Sequence, residues 1–129
     1  MLKYFDIKQD VFYADINWDT ILQIAARTEV QYGEIPKYPA VRRDLALLVD
    51  KQVKFADIEK IAFKTERKIL KSVNLFDIYE GKNIAEGKKS YAVSYLLQDP
   101  QRTLTDKIID KTMKRLLQAC ESELDASIR

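Results

Sequence analysis

Histidine is absent from this 129-residue chain, and cysteine occurs once, as Cys120. Without histidine there is no Ser-His or Cys-His nucleophile pair and no imidazole base, and a single thiol forms neither an internal disulfide nor a thiolate metal cage. Carboxylates are plentiful, so acid–base chemistry by an Asp or Glu pair is not excluded by counting, although no motif points to it. We therefore expect no catalytic residues and no metal site, and we expect Cys120 to be a small core residue.

Long apolar runs are missing as well. None approaches the ~18 residues that cross a bilayer, and the first residues lack the apolar stretch of a signal peptide. Hydrophobic residues make up 47% of the chain and charged residues 33%, which is typical of an ordered domain. We expect a soluble, cytoplasmic protein that does not bind membranes.

The net charge is small, at +2, but it is unevenly distributed. Residues 1–38 contain 4 basic and 6 acidic residues, whereas residues 39–129 contain 18 and 14. The basic excess of the second part is compatible with a polyanionic partner, although on charge alone a solvated mixed surface is the simpler interpretation.

Glycine and proline are scarce, with three of each, and they mark three loops. The first group, Gly33 to Pro39, predicts a boundary between structural units. Before it, residues 11–16 predict a strand, and Asn17 is a plausible cap for a helix to about Arg27, with Ile21, Leu22 and Ala25 inward. About thirty residues are too few for a core of their own, so this part is expected to be the tail of a larger domain.

After the boundary, periodicity predicts strands and helices in the order βαββαβ. The strands are predicted over residues 44–49, 73–79, 90–97 and 126–129, and the helices from about Phe55 and from Thr105, which caps the second one. This order is the ferredoxin-like α+β fold, a four-stranded antiparallel sheet with both helices on one face and the other face open. The full chain is then this fold preceded by a short strand-helix segment.

Side-chain alternation assigns residues to the two faces of this sheet. Asp77 and Tyr79 are predicted on the open face, while Phe76 and Ile78 are predicted to face the helices. On the partner strand Ser90, Ala92 and Ser94 are expected outward, with Ala46 of the first strand as their neighbour. The residues expected inward are Tyr91, Val93, Tyr95 and Leu97. A tyrosine among small side chains suits base stacking, and a carboxylate accepts from the amino and imino edge of guanine. On pattern alone, a surface tyrosine and a turn-capping aspartate explain the same residues.

Four segments resemble the ferredoxin-fold anticodon-binding domain of phenylalanyl-tRNA synthetases, which is C-terminal in the bacterial β subunit. They follow the family in order over residues 39–129 and are Tyr38–Leu47, Leu75–Gly81, Glu86–Ala92 and Arg102–Asp106. Residues 1–38, with Phe5–Ile7 and Val11–Ala14, resemble the end of the catalytic-like core domain that precedes it. We therefore predict a remnant of that domain plus linker over 1–38 and the anticodon-binding domain over 39–129.

The resemblance implies a parent α2β2 ligase that uses ATP and magnesium to attach phenylalanine to its tRNA, with catalysis on the α subunit. The present chain is then a non-catalytic fragment that needs no cofactor and binds the tRNA for phenylalanine. In the family, the first anticodon base, a guanine, stacks on a tyrosine and is held by an aspartate and a serine. The matching residues are Tyr79, Asp77 and Ser90, and Ala92 matches a small residue that lines the same spot.

Two other functions fit the same fold. One is an interaction or regulatory module that dimerises through sheet edges and binds a small ligand. The other is an acylphosphatase-like enzyme, which the lack of a Gly-rich phosphate loop with a basic residue behind it argues against. Several basic residues could contact phosphate, namely Arg42, Arg43, Lys82, Lys88, Lys89 and Arg102, and Arg43 could instead pair with Asp44.

Overall fold

The structure, a computed structural model, describes residues 6, 9–27, 32–33 and 35–129. The chain divides into two compact units, Met1–Glu34 and Ile35–Arg129. The assignment of residues 1–38 to the end of a preceding domain stays a prediction, and most of the Phe5–Ile7 segment lies outside the described residues. No helix of the described part is long and apolar enough to cross a membrane.

The described residues of the first unit contain one helix, α1 (Trp18–Ala26), which begins as predicted. The side-chain oxygen of Asn17 accepts a hydrogen bond of 3.0 Å from the backbone N–H of Thr20. Such a cap satisfies one of the free N–H groups of the first turn and typically contributes about 1 kcal/mol. The start of α1 is therefore encoded locally.

The strand predicted over residues 11–16 is wrong. These residues have no regular secondary structure, and the side chains of Phe12 and Tyr13 are 94% and 86% exposed. A strand requires a hydrogen-bonded neighbour, and the described residues of this unit provide none. The helix also lacks a partner among these residues, so no residue of α1 is buried, and the expectation that Ile21, Leu22 and Ala25 face inward is wrong.

The second unit forms the predicted ferredoxin-like α+β fold. Its elements are β1 (Val41–Asp50), α2 (Phe55–Thr65), β2 (Leu70–Tyr79), β3 (Lys88–Leu97), α3 (Asp106–Leu124) and β4 (Ser127–Ile128). The four strands form one sheet in the order β2-β3-β1-β4, with every neighbouring pair antiparallel. The two long central strands, β3 and β1, pair over all ten residues, so the middle of the sheet is the most regular part of the unit.

The N-termini of the two helices of this unit are stabilised in different ways. The backbone N–H of Lys54 donates to the Asp57 carboxylate at 3.0 Å, so a residue of the first turn supplies the start signal for α2 that the sequence lacks before Phe55. Thr105 is the N-cap of α3 as predicted, although its side chain makes no capping hydrogen bond, and Asp106 lies in the positive first turn.

Both helices cover the same face of the sheet. The buried core contains residues of α2 and α3 together with alternate residues of the three long strands, namely Ile58, Ile61, Ala62, Ile109, Leu116, Cys120, Leu47, Val49, Val73, Tyr91, Val93, Tyr95 and Leu97. Because a single core takes its side chains from one side of each strand, residues 35–129 place no helix on the other side. We call that other side the open face.

A β-bulge in β2 changes the predicted direction of one aromatic side chain. Leu75 pairs with Val93 and Asp77 pairs with Ala92, so Phe76 is an extra residue in β2. Phe76 was expected to face the helices, but it is 55% exposed and the Arg42 guanidinium lies over its ring on the open face. The bulge allows Leu75 to enter the core and still directs Asp77 outward, which strict alternation forbids.

Ile78 was also expected to face the helices. It lies on the helical side of the sheet, but its side chain is only partly covered. It pairs with Tyr91, a residue of the buried face, yet it remains 51% exposed. Ile78 is next to the last residue of β2, which is an edge strand, so few neighbours are available to cover it.

Two ionisable groups of the core, Tyr95 on β3 and Cys120 on α3, are 0% and 1% exposed. Burial raises the pKa of the Cys120 thiol to about 11, and burial also raises the pKa of the Tyr95 hydroxyl. Both groups are therefore neutral in the folded state at physiological pH, and Cys120 is the buried free thiol that its helical pattern predicts.

These shifts predict alkaline destabilisation. The folded-state pKa values lie above the ordinary values of 9.0 and 10.0, so the unfolded chain releases these protons first as the pH rises. We expect the free energy of unfolding to decrease from about pH 9 upward, by as much as about 1.4 kcal/mol per pH unit for one group. Urea unfolding at pH 8, 9 and 10 measures this change, and Cys120→Ala should reduce the decrease between pH 9 and 10. A constant free energy of unfolding across this range would contradict the expectation.

Candidate nucleic-acid interface

The pairing of β2 with β3 brings the four predicted site residues together. Tyr79 lies directly opposite Ser90, and Asp77 lies opposite Ala92. Across β3 the next residues on the same face are Leu48 beside Ser90 and Ala46 beside Ala92. The four residues therefore form two adjacent cross-strand pairs on the open face, with small side chains at its centre.

The four residues differ in their exposure to solvent. Asp77 is exposed, Tyr79 and Ala92 are half-buried, and Ser90 is only 3% exposed. Ser90 is on the predicted face but is more covered than expected, because β3 is a central strand and the larger Tyr79 and Leu48 flank it on both sides. Ser94 is covered in the same way, at 6% exposed.

The Asp77 carboxylate is available for a ligand. Among the residues that the structure describes, no lysine or arginine forms an ion pair with it. It is an acceptor on an open surface beside an aromatic ring, and a carboxylate accepts hydrogen bonds from two neighbouring N–H groups at once.

Gly81 allows the Tyr79 ring to take its position. A Cβ atom at Gly81 would overlap the hydroxyl oxygen and the adjoining ring carbon of Tyr79. The ring therefore lies against the backbone just beyond the end of β2, where only glycine leaves enough space. This contact is one reason why Tyr79 is half-buried rather than fully exposed.

Arg129 also covers part of Tyr79, although the sequence pattern does not predict this residue at the site. Its guanidinium carbon lies 4.5 Å from the centre of the Tyr79 ring, a cation–π contact. Its backbone N–H donates to the carbonyl of Ala46 at 3.0 Å, which continues the pairing of β4 with β1. Arg129 thus lies in the same row across the sheet as Ala46, Ala92 and Asp77.

A second arginine covers a second aromatic ring on this face. The Arg42 guanidinium lies 5.4 Å from the centre of the Phe76 ring and also forms an ion pair of 3.0 Å with Asp44. The pairing of Arg43 with Asp44, which the sequence left open, does not form, and Arg43 lies 3.8 Å from Asp106 instead. In contrast to Arg42, Arg129 forms no ion pair among the described residues.

Most of the other basic residues considered for phosphate contact are engaged within the unit. Arg102 pairs with Asp99 at 3.1 Å. The backbone N–H of Gln101, which donates to the same carboxylate, lowers the pKa of Asp99, and Arg102 lowers it further. Lys88 lies 3.5 Å from Asp50. Lys89 is buried and donates to the carbonyl of Lys51 at 2.8 Å, while Lys82 stays exposed. The charged groups of Arg102, Lys88 and Lys89 therefore already have partners within the unit, and these contacts stabilise the fold.

The described residues contain no group of three or more His, Cys, Asp or Glu side chains that could hold a metal ion. The chemistry available at the open face is instead stacking on an aromatic ring, acceptance of hydrogen bonds by Asp77 and donation by guanidinium groups. Together these groups suit a planar ligand with N–H donors and a nearby negative charge, and nucleotides are one class of such ligands.

Comparison with known proteins gives one family match and many relatives. The family model of the ferredoxin-fold anticodon binding domain matches residues 36–129. The phenylalanine–tRNA ligase beta subunits of Bacteroides fragilis, Porphyromonas gingivalis and Clostridium tetani are 57%, 45% and 42% identical to the chain over all of its 129 residues. The chain spans 16% of the length of each of these relatives.

Proposed function

Because the chain belongs to the family of ferredoxin-fold anticodon-binding domains, we propose that it recognises the anticodon of the tRNA for phenylalanine and carries out no chemistry of its own. The relatives are phenylalanine–tRNA ligase beta subunits, and the family match covers residues 36–129, which is all but the first residue of the second unit. Recognition of the first anticodon base is assigned to the open face, with Tyr79, Asp77, Ser90 and Ala92 as its residues.

The cross-strand pairing is the observation that carries this function. Tyr79 opposite Ser90 and Asp77 opposite Ala92 give an aromatic ring, a carboxylate, a hydroxyl and a small side chain within two neighbouring pairs. Opposed residues have Cβ atoms about 5 Å apart, so one base can contact all four. Aromatic side chains on the open face of a sheet are one established means of binding single-stranded RNA.

Each residue has a distinct role in this proposal. The Tyr79 ring stacks on the base, which any base allows, and Asp77 accepts from the imino and amino groups of guanine, which adenine cannot supply in the same positions. Ser90, which lies between Tyr79 and Leu48 on the neighbouring strands, donates or accepts one further hydrogen bond. Ala92 leaves room for the base to approach the sheet.

The ligase reaction itself is assigned to other parts of the assembly to which this chain would belong. By similarity to the relatives, the partner would be the alpha subunit in an α2β2 assembly in the cytoplasm, and that assembly would use ATP and magnesium to attach phenylalanine. The described residues contain no carboxylate cluster that could hold a magnesium ion.

Equilibrium binding of the 129-residue chain to two tRNA transcripts tests this function. One transcript is the tRNA for phenylalanine, and the other differs from it only in the first anticodon base, from guanine to adenine. The expected result is tighter binding of the first by about tenfold or more, since a bidentate base contact is worth about 1 to 3 kcal/mol of discrimination. Equal affinity for both transcripts would contradict anticodon recognition at this base.

Gly81→Ala is expected to separate binding from stability. The added methyl group overlaps the far end of the Tyr79 side chain, which can rotate away at low cost, so we expect the melting temperature to change by only a few degrees. The displaced ring should lower the affinity for the phenylalanine tRNA by roughly three- to tenfold, about 0.7 to 1.4 kcal/mol. Gly33→Ala, where a Cβ meets no atom within 4 Å, is the matched control. Wild-type affinity of the Gly81→Ala variant would show that the ring position does not matter.

A self-association module is the second candidate function, and one observation favours it. Phe76 and Ile78 are 55% and 51% exposed on β2, which is an edge strand of the sheet. An edge strand with exposed apolar residues can pair with an edge strand of a second chain. A mass of two chains in gel filtration, with no affinity for tRNA, would support this candidate in place of RNA binding.

A further inference from the structure

We infer that Arg129 is a further RNA-binding residue, which contacts the same nucleotide as Tyr79. This inference rests on the proposed function and adds a residue that neither the sequence analysis nor the family match assigns. It starts from the cation–π contact, in which the guanidinium lies 4.5 Å from the centre of the Tyr79 ring. A planar group already occupies the face of the ring on which a base would stack.

The position of Arg129 depends on the pairing of β4. Its backbone N–H donates to the Ala46 carbonyl, so the residue is fixed at the edge of the sheet, three strand spacings from β2. Strands lie about 4.8 Å apart, which puts roughly 14 Å between the two backbones. The small side chains of Ala46 and Ala92 lie between them in the same row, and they leave the space above the sheet free for the long arginine side chain.

The charge of Arg129 is available for RNA. Arg42 and Arg102 each have a carboxylate partner, at 3.0 Å and 3.1 Å, but no aspartate or glutamate of the described residues pairs with Arg129. An unpaired guanidinium beside the proposed base position can contact a phosphate or stack on the base. Its contact with Tyr79 is weaker than either of these alternatives, because an exposed cation–π pair is a small interaction.

Binding therefore exchanges one stack for another. The base takes the place of the guanidinium on the Tyr79 ring, and Arg129 moves to the opposite face of the base, which is then held between the two side chains. Arginine is suited to this position because its planar group stacks on a base, whereas the ammonium group of lysine carries the charge without the plane.

Binding of the phenylalanine tRNA to the 129-residue chain with Arg129→Ala, Arg129→Lys and Arg67→Ala tests the inference. Arg129→Ala is expected to weaken binding about three- to tenfold, and Arg129→Lys should recover less than half of this loss on a logarithmic scale. Arg67→Ala removes the same charge from an exposed position next to Phe63 and Lys64 on α2, and it should have little effect. Unchanged or tighter binding by Arg129→Ala would overturn the inference, and full recovery by lysine would overturn the stacking role.

A double variant distinguishes this inference from the function on which it rests. If Tyr79 and Arg129 hold the same base, Tyr79→Ala with Arg129→Ala should lose clearly less affinity than the product of the two single losses. Losses that multiply fully would mean that Arg129 acts elsewhere. If Tyr79→Ala alone weakens binding while Arg129→Ala does not, the inference fails and the function stands. If neither variant weakens binding, the proposed function itself fails at this face.

Discussion

Tyr79→Ala is expected to weaken binding of the phenylalanine tRNA by about tenfold or more, with the domain still folded. Removal of an aromatic ring that stacks on a base typically costs about 1 to 3 kcal/mol of binding free energy. The ring is half-buried on the open face and makes none of the core contacts, so the cost to stability is limited to its contacts with Gly81 and Arg129. We expect this cost to be no more than about 1 kcal/mol, which lowers the melting temperature by a few degrees.

Phe63→Ala is the matched control for this variant. Phe63 is an aromatic residue of α2, on the helical side of the sheet, and is 37% exposed. Its removal should leave tRNA affinity within about twofold of the wild type, because surface changes away from a site rarely exceed ±0.5 kcal/mol. If Tyr79→Ala unfolds the domain, or if the folded variant binds tRNA normally, then the assignment of Tyr79 to the anticodon is wrong.

Asp77→Asn is expected to reduce discrimination more than affinity. The wild-type carboxylate accepts two hydrogen bonds from the edge of guanine and is acceptor-only, so adenine in the same place leaves it unpaired. The amide keeps one acceptor, loses the charge and offers a donor, which suits the ring nitrogen of adenine. The preference for guanine over adenine at the first anticodon base should therefore decrease from about tenfold or more to less than about threefold.

Affinities for the two transcripts, measured side by side, give this ratio. Asp110→Asn is the matched control, because Asp110 is an exposed carboxylate of α3, so the change in net charge is the same. This control should leave the ratio unchanged. A general effect of charge would instead change the ratio equally in Asp77→Asn and Asp110→Asn. An unaltered ratio in Asp77→Asn would show that another residue distinguishes guanine.

The fold of the second unit was predictable because its local signals agree with each other. Apolar alternation in β1 and β3, a helical stripe from Ile109 to Cys120 and glycine at the turns all indicate one architecture. The first unit was less predictable for a physical reason. Asn17 caps α1 through a contact three residues away, which sequence encodes, while a strand at residues 11–16 depends on a partner that the described residues of that unit lack.

The site was predictable where it depends on a single strand. Asp77 and Tyr79 are two residues apart, so alternation alone puts them on one face, and the bulge before them does not alter their relation. The predicted direction of the Phe76 side chain was wrong, because a bulge depends on the pairing between two strands and not on the pattern of one strand. The order of strands in this fold puts β4 beside β1, which would have brought Arg129 to the edge of the site, but the contact with Tyr79 depends on side-chain direction across three strands.

Backbone amide chemical shifts, recorded by NMR while the chain is titrated with the phenylalanine tRNA, test the central claim most directly. If the open face binds the anticodon, the largest changes will occur at Asp77, Tyr79, Ser90, Ala92 and Arg129, with smaller changes along the exposed sides of α2 and α3. The transcript with adenine as the first anticodon base should produce weaker changes at the same residues. Changes concentrated on the helices, or equal changes with both transcripts, would contradict recognition of the anticodon by the open face.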